Sequence, residues 1–285
     1  MSRPCPACCG RAVQKVRSDV WPGIDLYRCT GCRTEFVDPQ PSDERLAEIY
    51  GPSYYEPWHH ESAENVRVTK ELTFAPILAS AELAPGQRLL DVGCATGQFA
   101  GLAARAGLKV FGVDLNTDAI DAARRAVPGA SFHAGTMADM PFPGEEFDAV
   151  VMVDFIEHVR SPEHELAMIA ERLAPQGKLV ISTPRVDSGV RRMTGKYWPQ
   201  YREEHLTYFS ESGMHAVMQR IGFTISQIVP TKKMLTPAYL YGQALAYPIP
   251  GITPLIKLAW PVFPIPRHRP LGVRFGEMTD VAHRR

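Results

Sequence analysis

Short apolar runs alternate with amphipathic stretches over the second two-thirds of the chain. Leu89, Leu90 and Val92 follow Pro85-Gly86 and read as a short buried strand. Leu108–Val113 reads as a second strand ending at Asp114, Ala130–Ala134 as a third, and Phe147–Val153 as a fourth. Lys178–Ser182 reads as a fifth, closed by Thr183-Pro184, with Phe223–Val229 and Val273–Ala282 as the sixth and seventh. Helical periodicity fills the gaps. One helix opens at Gly97-Gln98-Phe99-Ala100, and Asp118–Ala126 follows a cap at Asn116 or Thr117. Glu163–Leu173 carries Leu166, Ile169, Ala170 and Leu173 on one stripe. Repeated βα units require a parallel sheet with helices on both faces and ligands at the carboxyl ends of the strands. The class is α/β, a Rossmann-like seven-stranded sheet.

Upstream the pattern is different. Ala63–Leu83 reads as a helix with Val66, Leu72, Ile77 and Leu83 as apolar positions, interrupted at Pro76. Pro39–Pro57 is a polar connector with a helix-like piece, Asp43–Tyr50. Tyr54, Tyr55 and Trp58 form an aromatic cluster that suits a lid or ordinary packing. At the start, Cys5-x-x-Cys8 and Cys29-x-x-Cys32 stand twenty residues apart. That spacing is the signature of four thiolates around one tetrahedral ion, a closed and therefore structural site. Zinc is favoured over iron, and Cys9 is a spare neighbour able to swap with Cys8. The expected organisation is a zinc ribbon over 1–40, a helical connector over 41–86, and a main domain over 87–285.

With 31 basic and 31 acidic residues in 285, no global field draws the chain to nucleic acid. Six cysteines without an N-terminal apolar leader argue for metal or free thiols, and for a cytoplasmic protein. The main domain carries an apolar insertion over 231–271, with seven prolines between Met234 and Pro266, which precludes a continuous spanning helix. Broken apolar helices between Lys232-Lys233 and Arg267-His268-Arg269 suit a substrate cover, a homodimer contact or a peripheral membrane anchor. The pattern does not choose among them.

Arg88–Ala100 joins a strand, a small-residue turn and a helix N-terminus, a place for a nucleoside or anionic ligand. A nicotinamide or flavin site asks for Gly-x-Gly-x-x-Gly, where this chain has Gly93, Ala95 and Gln98. The run DVGCATGQF instead resembles the first motif of class I S-adenosylmethionine-dependent methyltransferases. Asp91, Gly93 and Gly97 carry the match; Cys94 lies in the loop and Ala95 replaces the commoner central glycine. The resemblance implies that this loop holds the amino-acid end of the cofactor. Asp114, at the end of the second strand, is placed to accept both ribose hydroxyls, with Leu115 beside it. HAGTMADMPFPGEEFDAVVM resembles the family's adenine-bordering loop and nominates Thr136 and Met137. In this family the seventh strand is antiparallel.

After the fourth strand, Asp154, Glu157 and His158 resemble the Glu-His-Val segment of ubiquinone-type O-methyltransferases, some of which bind a divalent ion there. His158 is suited to accept a proton near neutral pH, Glu157 is its acidic neighbour, and plain packing of the strand end is the alternative. YWPQYREEHLTYFS resembles a substrate-contacting segment of the family. It makes His205 a second candidate base, Tyr197, Trp198 and Tyr201 a wall, and Ser210 the cap of a helix over Glu211–Ile221. The implied activity is methyl transfer to oxygen of a small-molecule, glycan or lipid-linked acceptor. Carbon methylation of a sugar, methylation of RNA docked on the ribbon, and non-catalytic cofactor binding are the alternatives.

Overall fold

The computed structural model describes residues 3–51, 63–246, 248, 251–262, 264 and 266–285, so Tyr54, Tyr55 and Trp58 lie outside the described residues. The chain opens with a meander of β1 (Val13–Trp21), β2 (Ile24–Cys29) and β3 (Glu35–Asp38). The helices α1 (Asp43–Ile49) and α2 (Ala63–Ser80) precede the alternating region. That region runs β4 (Arg88–Val92), α3 (Gln98–Arg105), β5 (Lys109–Asp114), α4 (Thr117–Ala126), β6 (Ser131–Ala134) and β7 (Phe147–Val153). It continues with α5 (Pro162–Ala170), β8 (Leu173–Pro184), α6 (Gly189–Thr194), β9 (Thr207–Tyr208) and α7 (Glu211–Arg220). The chain closes with β10 (Phe223–Leu235), α8 (Pro237–Ala246), α9 (Ile252–Ala259) and β11 (Leu271–Arg284).

Seven strands form the main sheet in the order β10-β11-β8-β7-β4-β5-β6. The pairs from β8 to β6 are parallel, while β11 is antiparallel to both of its neighbours. The chain steps from β4 outward to β6 and then returns to β7 on the other side of β4. Strand order therefore reverses between β4 and β7, where an open α/β sheet leaves its ligand crevice. Leu90, Val150, Met152 and Ile181 are fully buried on one face of this sheet, and Leu89, Ala149, Val151 and Val180 on the other. Seven expected strands are present, the last three longer than read. Their hairpin overshoots the sheet to Leu235 opposite Leu271, so the insertion narrows to 236–270 and holds α8 and α9.

Two helix readings change. The helix α2 runs through Pro76 to Ser80 without a break, although proline inside a helix costs about 3 kcal/mol. Burial of Ile77 and Ala81 against the sheet offsets that cost. The helix α5 ends at Ala170, because Leu173 is already the first residue of β8, paired with Phe147.

The ribbon is not a separate bead. Strand β3 pairs antiparallel with β9, so the four-stranded N-terminal sheet, β1-β2-β3-β9, takes its edge strand from the main domain. Phe36, Cys5, Cys29 and Cys32 share one apolar core with Phe147, Phe209 and Met214. A buried carboxylate fixes the joint. Glu35 is 1% exposed and accepts from Arg28 Nε (2.9 Å), Arg191 Nη2 (2.8 Å) and the Tyr201 hydroxyl (2.5 Å). Removing one partner of such a network leaves the others desolvated and unpaired. Glu35→Ala should therefore lower unfolding stability by about 3 kcal/mol, read as a shift of the urea midpoint.

Candidate active site

The first half of the site is the loop between β4 and α3, and backbone geometry dictates its small residues. Gly93 sits at φ 78° and Gly97 at φ 77°. A Cβ on Gly93 would stand 2.7 Å from the Phe155 ring, and one on Gly97 2.9 Å from Ala123 Cβ. Between them Ala95 also adopts a left-handed conformation, φ 45°, which glycine reaches at less cost. Asp114 stitches this loop to the end of β5. One of its oxygens accepts from Ala95 N (2.8 Å) and the other from Asn116 N (2.9 Å). A carboxylate has about four lone-pair directions, so both oxygens can still take hydroxyl donors.

Asp91 is fully buried at the end of β4, and its Oδ2 has no partner among the described residues. Burial, and then the charge of Asp114, pushes its carboxyl up to about 8. A buried acid left without a donor is a cradle for a cation or an amine, since an unpaired polar group costs free energy. Leu115 is 73% exposed beside the loop, an apolar platform facing solvent, while Met137 is buried and Thr136 donates to Asp139 from both N and Oγ1. Cys94 is turned inward. Its Sγ would lie 2.9 Å from a Cβ on Gly112, its N–H bonds Val113 O, and its carbonyl accepts from Gly97. It shapes the loop and offers no polar group to a ligand.

The second half follows β7. Asp154 bends the chain at φ 51°, Phe155 covers Gly93, and a single 3-10 turn, Ile156–His158, presents Glu157 and His158. His158 Nδ1 lies 2.8 Å from the Tyr50 hydroxyl and 3.1 Å from Glu204 O. A carbonyl only accepts, so the hydrogen belongs on Nδ1 and the Nε2 lone pair remains for an incoming proton. Burial lowers His158 to about 4, with Asp154 and the Glu204 carbonyl opposing the shift. His205 packs edge-on against it, centroids 4.7 Å apart, and donates from Nδ1 to Gln200 O at 2.9 Å. Burial, and then His158, drives His205 well below its ordinary value. Both imidazoles are therefore neutral bases at neutral pH. His205 is 5% exposed and stands behind His158 as its support.

Glu157 is buried, accepts from Thr183 Oγ1 at 2.9 Å, and has its other oxygen unpartnered among the described residues. Burial pushes it up to about 8. Ligand atoms of Glu157, His158 and His205 all lie within 4.8 Å of one another, two imidazoles and one carboxylate. That differs from the expected trio. Asp154 turns away to Lys233 Nζ at 2.9 Å, and His205 takes its place in the group. The aromatic wall also changes. Trp198 is buried and donates to Phe275 O, and Tyr201 serves Glu35 and Arg191, which leaves Tyr197 as the half-exposed member.

Several residues here carried no readable signal. Lys233 looked like a flank of the insertion, yet its ammonium lies between Asp154 and Glu277, 3.8 Å from the latter. Burial works against that charge, and the two acids more than restore it. Tyr50 and the Glu204 carbonyl reach His158 from remote segments.

The four cysteines meet as expected. Their Sγ atoms all lie within 4.8 Å, with Cys5–Cys32 at 3.6 Å and Cys8–Cys29 at 3.5 Å. Four thiolates at about 2.3 Å from a tetrahedral zinc would stand about 3.8 Å apart, so the donor set fits that ion. The two knuckles repeat one turn, Cys9 N to Cys5 O and Arg33 N to Cys29 O, with Cys9 and Arg33 left-handed. That turn points Cys9 outward to Glu163 Oε2 at 3.6 Å, so it is no substitute ligand.

Comparison with known proteins agrees with this architecture. The model of the methyltransferase domain family matches residues 58–228. The chain belongs to that family. A demethylmenaquinone methyltransferase of Renibacterium salmoninarum is 36% identical over 98 residues, 34% of this chain and 41% of the relative. A ubiquinone biosynthesis O-methyltransferase of Roseobacter denitrificans is 37% identical over 117 residues, 37% of this chain and 44% of its own length. The chain thus spans about two-fifths of the curated relatives it matches. In fold it resembles the Synechocystis magnesium protoporphyrin IX methyltransferase solved with bound SAH (TM-score 0.55, 15% identity), covering 86% of this chain and all of that one. It also resembles the [4+2]-cyclase SpnF (TM-score 0.58, 17% identity), covering 86% of this chain and 98% of that one.

The histidine environment sets a pH expectation. A base held at about 4 stays neutral well below the ordinary imidazole range of about 6.5. The acid limb of a turnover profile should therefore fall nearer pH 4 than pH 6.5, and a limb centred at pH 6.5 would place the proton acceptor elsewhere.

Proposed function

We propose that this chain transfers the methyl group of S-adenosylmethionine to a hydroxyl of a small-molecule or lipid-linked acceptor. The observation that carries the reading is the pairing of two half-sites across the β4–β7 crevice. One is a left-handed small-residue loop pinned by Asp114. The other is a neutral imidazole whose neighbour Phe155 rests on that same loop. The relatives are named for demethylmenaquinone and for ubiquinone biosynthesis, the latter as an O-methyltransferase, which makes a quinone-related acceptor the chemistry nearest to hand.

The residues present fit this cofactor. Asp91 offers a buried carboxyl with one oxygen unpartnered among the described residues for its amino end, Asp114 has lone pairs for its ribose hydroxyls, and Leu115 with Met137 supplies apolar surface for its adenine. The cofactor supplies an electrophilic methyl group on a sulfonium. The chain's part is to orient and to move a proton. Glu204 and Tyr50 hold His158 with its Nε2 free, His205 braces the ring, and His158 takes the acceptor's hydroxyl proton as oxygen attacks. Lys233 and Asp154 neutralise each other beside this step, so neither competes for the proton.

On this reading, Asp114→Ala should weaken S-adenosylmethionine binding at least about tenfold by calorimetry, the loss of one hydrogen bond or more. His158→Ala should lower kcat roughly 10²–10⁴-fold with cofactor affinity unchanged. Near-normal turnover of that variant would remove it as base. If Glu157, His158 and His205 instead hold a divalent ion, chelation would stop turnover and Glu157→Ala would match His158→Ala.

The four-cysteine site belongs to the same proposal as a structural zinc, because four protein thiolates leave no open coordination position. Elemental analysis of the fresh protein should give one zinc per chain, kept in Cys9→Ala and lost in Cys29→Ala. No metal in the fresh protein would refute it.

A further inference from the structure

The helix α9 faces the wrong way for a domain in water. Thr253 is buried and Ile256 and Trp260 are half-buried, so these three mark its inner side. On the outer side Ile252 is 51% exposed, Leu255 65%, Leu258 79%, and Val262 just beyond is 81%. The side turned to solvent is thus at least as apolar as the side turned inward, the reverse of ordinary amphipathic packing. Isolated exposed leucines need no explanation, but four at successive turns of one short element form a contiguous patch.

Charge identifies what covers it. The chain as a whole balances 31 basic against 31 acidic residues, yet from Ser212 to Gly276 it has no Asp or Glu and seven Lys or Arg. Five of those cations are exposed on the hairpin and its tip: Lys232, Lys257, Arg267, Arg269 and Arg274. A second copy of this chain would bring like charges together. An anionic surface would not. The patch is carried on a projecting hairpin and is stiffened from behind, with Tyr241 and Trp260 stacked at 4.2 Å and Arg267 over the Trp260 ring. No described helix is long and apolar enough to cross a membrane, so the contact is with a surface.

We propose that α9 and the surrounding cations dock the protein on an anionic phospholipid bilayer, with Leu255, Leu258 and Val262 inserted at the headgroup level and the lysines and arginines among lipid phosphates. The helix α8 is tied to the acceptor side of the crevice through Arg202 Nη2 and Gln243 Oε1 at 3.4 Å. The same insertion that carries the docked face thus also holds the segment bearing His205, which, on the reading proposed above, links lipid docking to the acceptor side of the crevice. Docking itself does not depend on methyl transfer, and its test reads no turnover.

The test is co-sedimentation of the full chain with vesicles of phosphatidylcholine containing about 30% phosphatidylglycerol, against pure phosphatidylcholine. The chain should partition onto the anionic vesicles and release in high salt. The pair Leu255→Glu and Leu258→Glu should cut partitioning at least about tenfold, with an unchanged thermal melt, and Arg267→Ser with Arg269→Ser should weaken it and flatten its salt dependence. Failure to bind anionic vesicles would overturn the proposal, as would undiminished binding by the leucine pair. So would a dimer in light scattering that ignores vesicles and is dispersed by the leucine pair, because the face would then belong to a second copy.

Discussion

The carbonyl of Cys32 is the point on which the two ends of the molecule depend. It accepts from Ser210 Oγ and, at 2.6 Å, from Ser212 Oγ, while Ser210 Oγ also caps α7 by accepting from Gly213 N. One knuckle cysteine, one helix start and the end of the 198–210 segment therefore share a single cluster of hydrogen bonds. A Cβ on Gly213 would collide with Thr34, which shows how tightly the knuckle is pressed against that helix. From there the order propagates through backbone. Strand β3 pairs with β9, Val37 N bonds Leu206 O, and Leu206 N bonds Glu157 O. Three successive backbone contacts thus lead from the cysteine knuckle to the residue beside His158.

That chain of contacts explains why so much charge is tolerated near the crevice. Glu35, Glu157 and Glu277 are withdrawn from water and Lys233 is partly so, and an unpaired charge there would be costly. Each is held by partners from different segments. Glu35 binds Arg28 and Arg191, Glu277 binds Gln200 and approaches Lys233, and Glu157 binds Thr183. Such groups contribute little net stability, since desolvation cancels most of the attraction, but they are intolerant of misplacement. Their effect is to fix the acceptor segment in one arrangement. Residues 198–206 are gripped on the ribbon side by Tyr201, on the β11 side by Trp198 and Gln200, and on the insertion side by Arg202.

The loop between β4 and α3 and its tie to the end of β5 were legible in the sequence because their physics is local. A strand end, three small residues and an acid at the next strand end lie within one βαβ unit. The motif resemblance therefore nominated Asp91, Gly93 and Gly97, and the position at the next strand end nominated Asp114. Cys94 shows the limit of that reading, since which way a loop side chain points depends on its neighbours, here Gly112 and Phe132. The knuckles were legible for the same reason, although the outward turn of Cys9 follows from a backbone conformation that spacing does not encode. The acceptor half was only partly readable. His158 and His205 could be named, but their relation to each other, to Tyr50 and to Lys233 is made by long-range pairing of β3 with β9 and of β10 with β11. Trp198 and Tyr201 looked like a wall because aromatic residues near a site do; tertiary packing gave them to the core instead.

This division bears on how far a family likeness can be carried. The ribbon and the hairpin insertion both lie outside residues 58–228, the part that the family model matches. Yet these two attachments, together with β11, hold residues 198–206 beside His158. The shared part supplies a crevice and a way to hold a nucleoside, requirements that every acceptor chemistry on this fold would impose equally. Selectivity has to come from elements that differ, and in this chain they are a thiolate knuckle on one side and an acid-free apolar hairpin on the other. A quinone-like acceptor borrowed from the relatives is thus a statement about the common crevice. The identity of the true acceptor is written in the residues that the ribbon and the insertion hold in place.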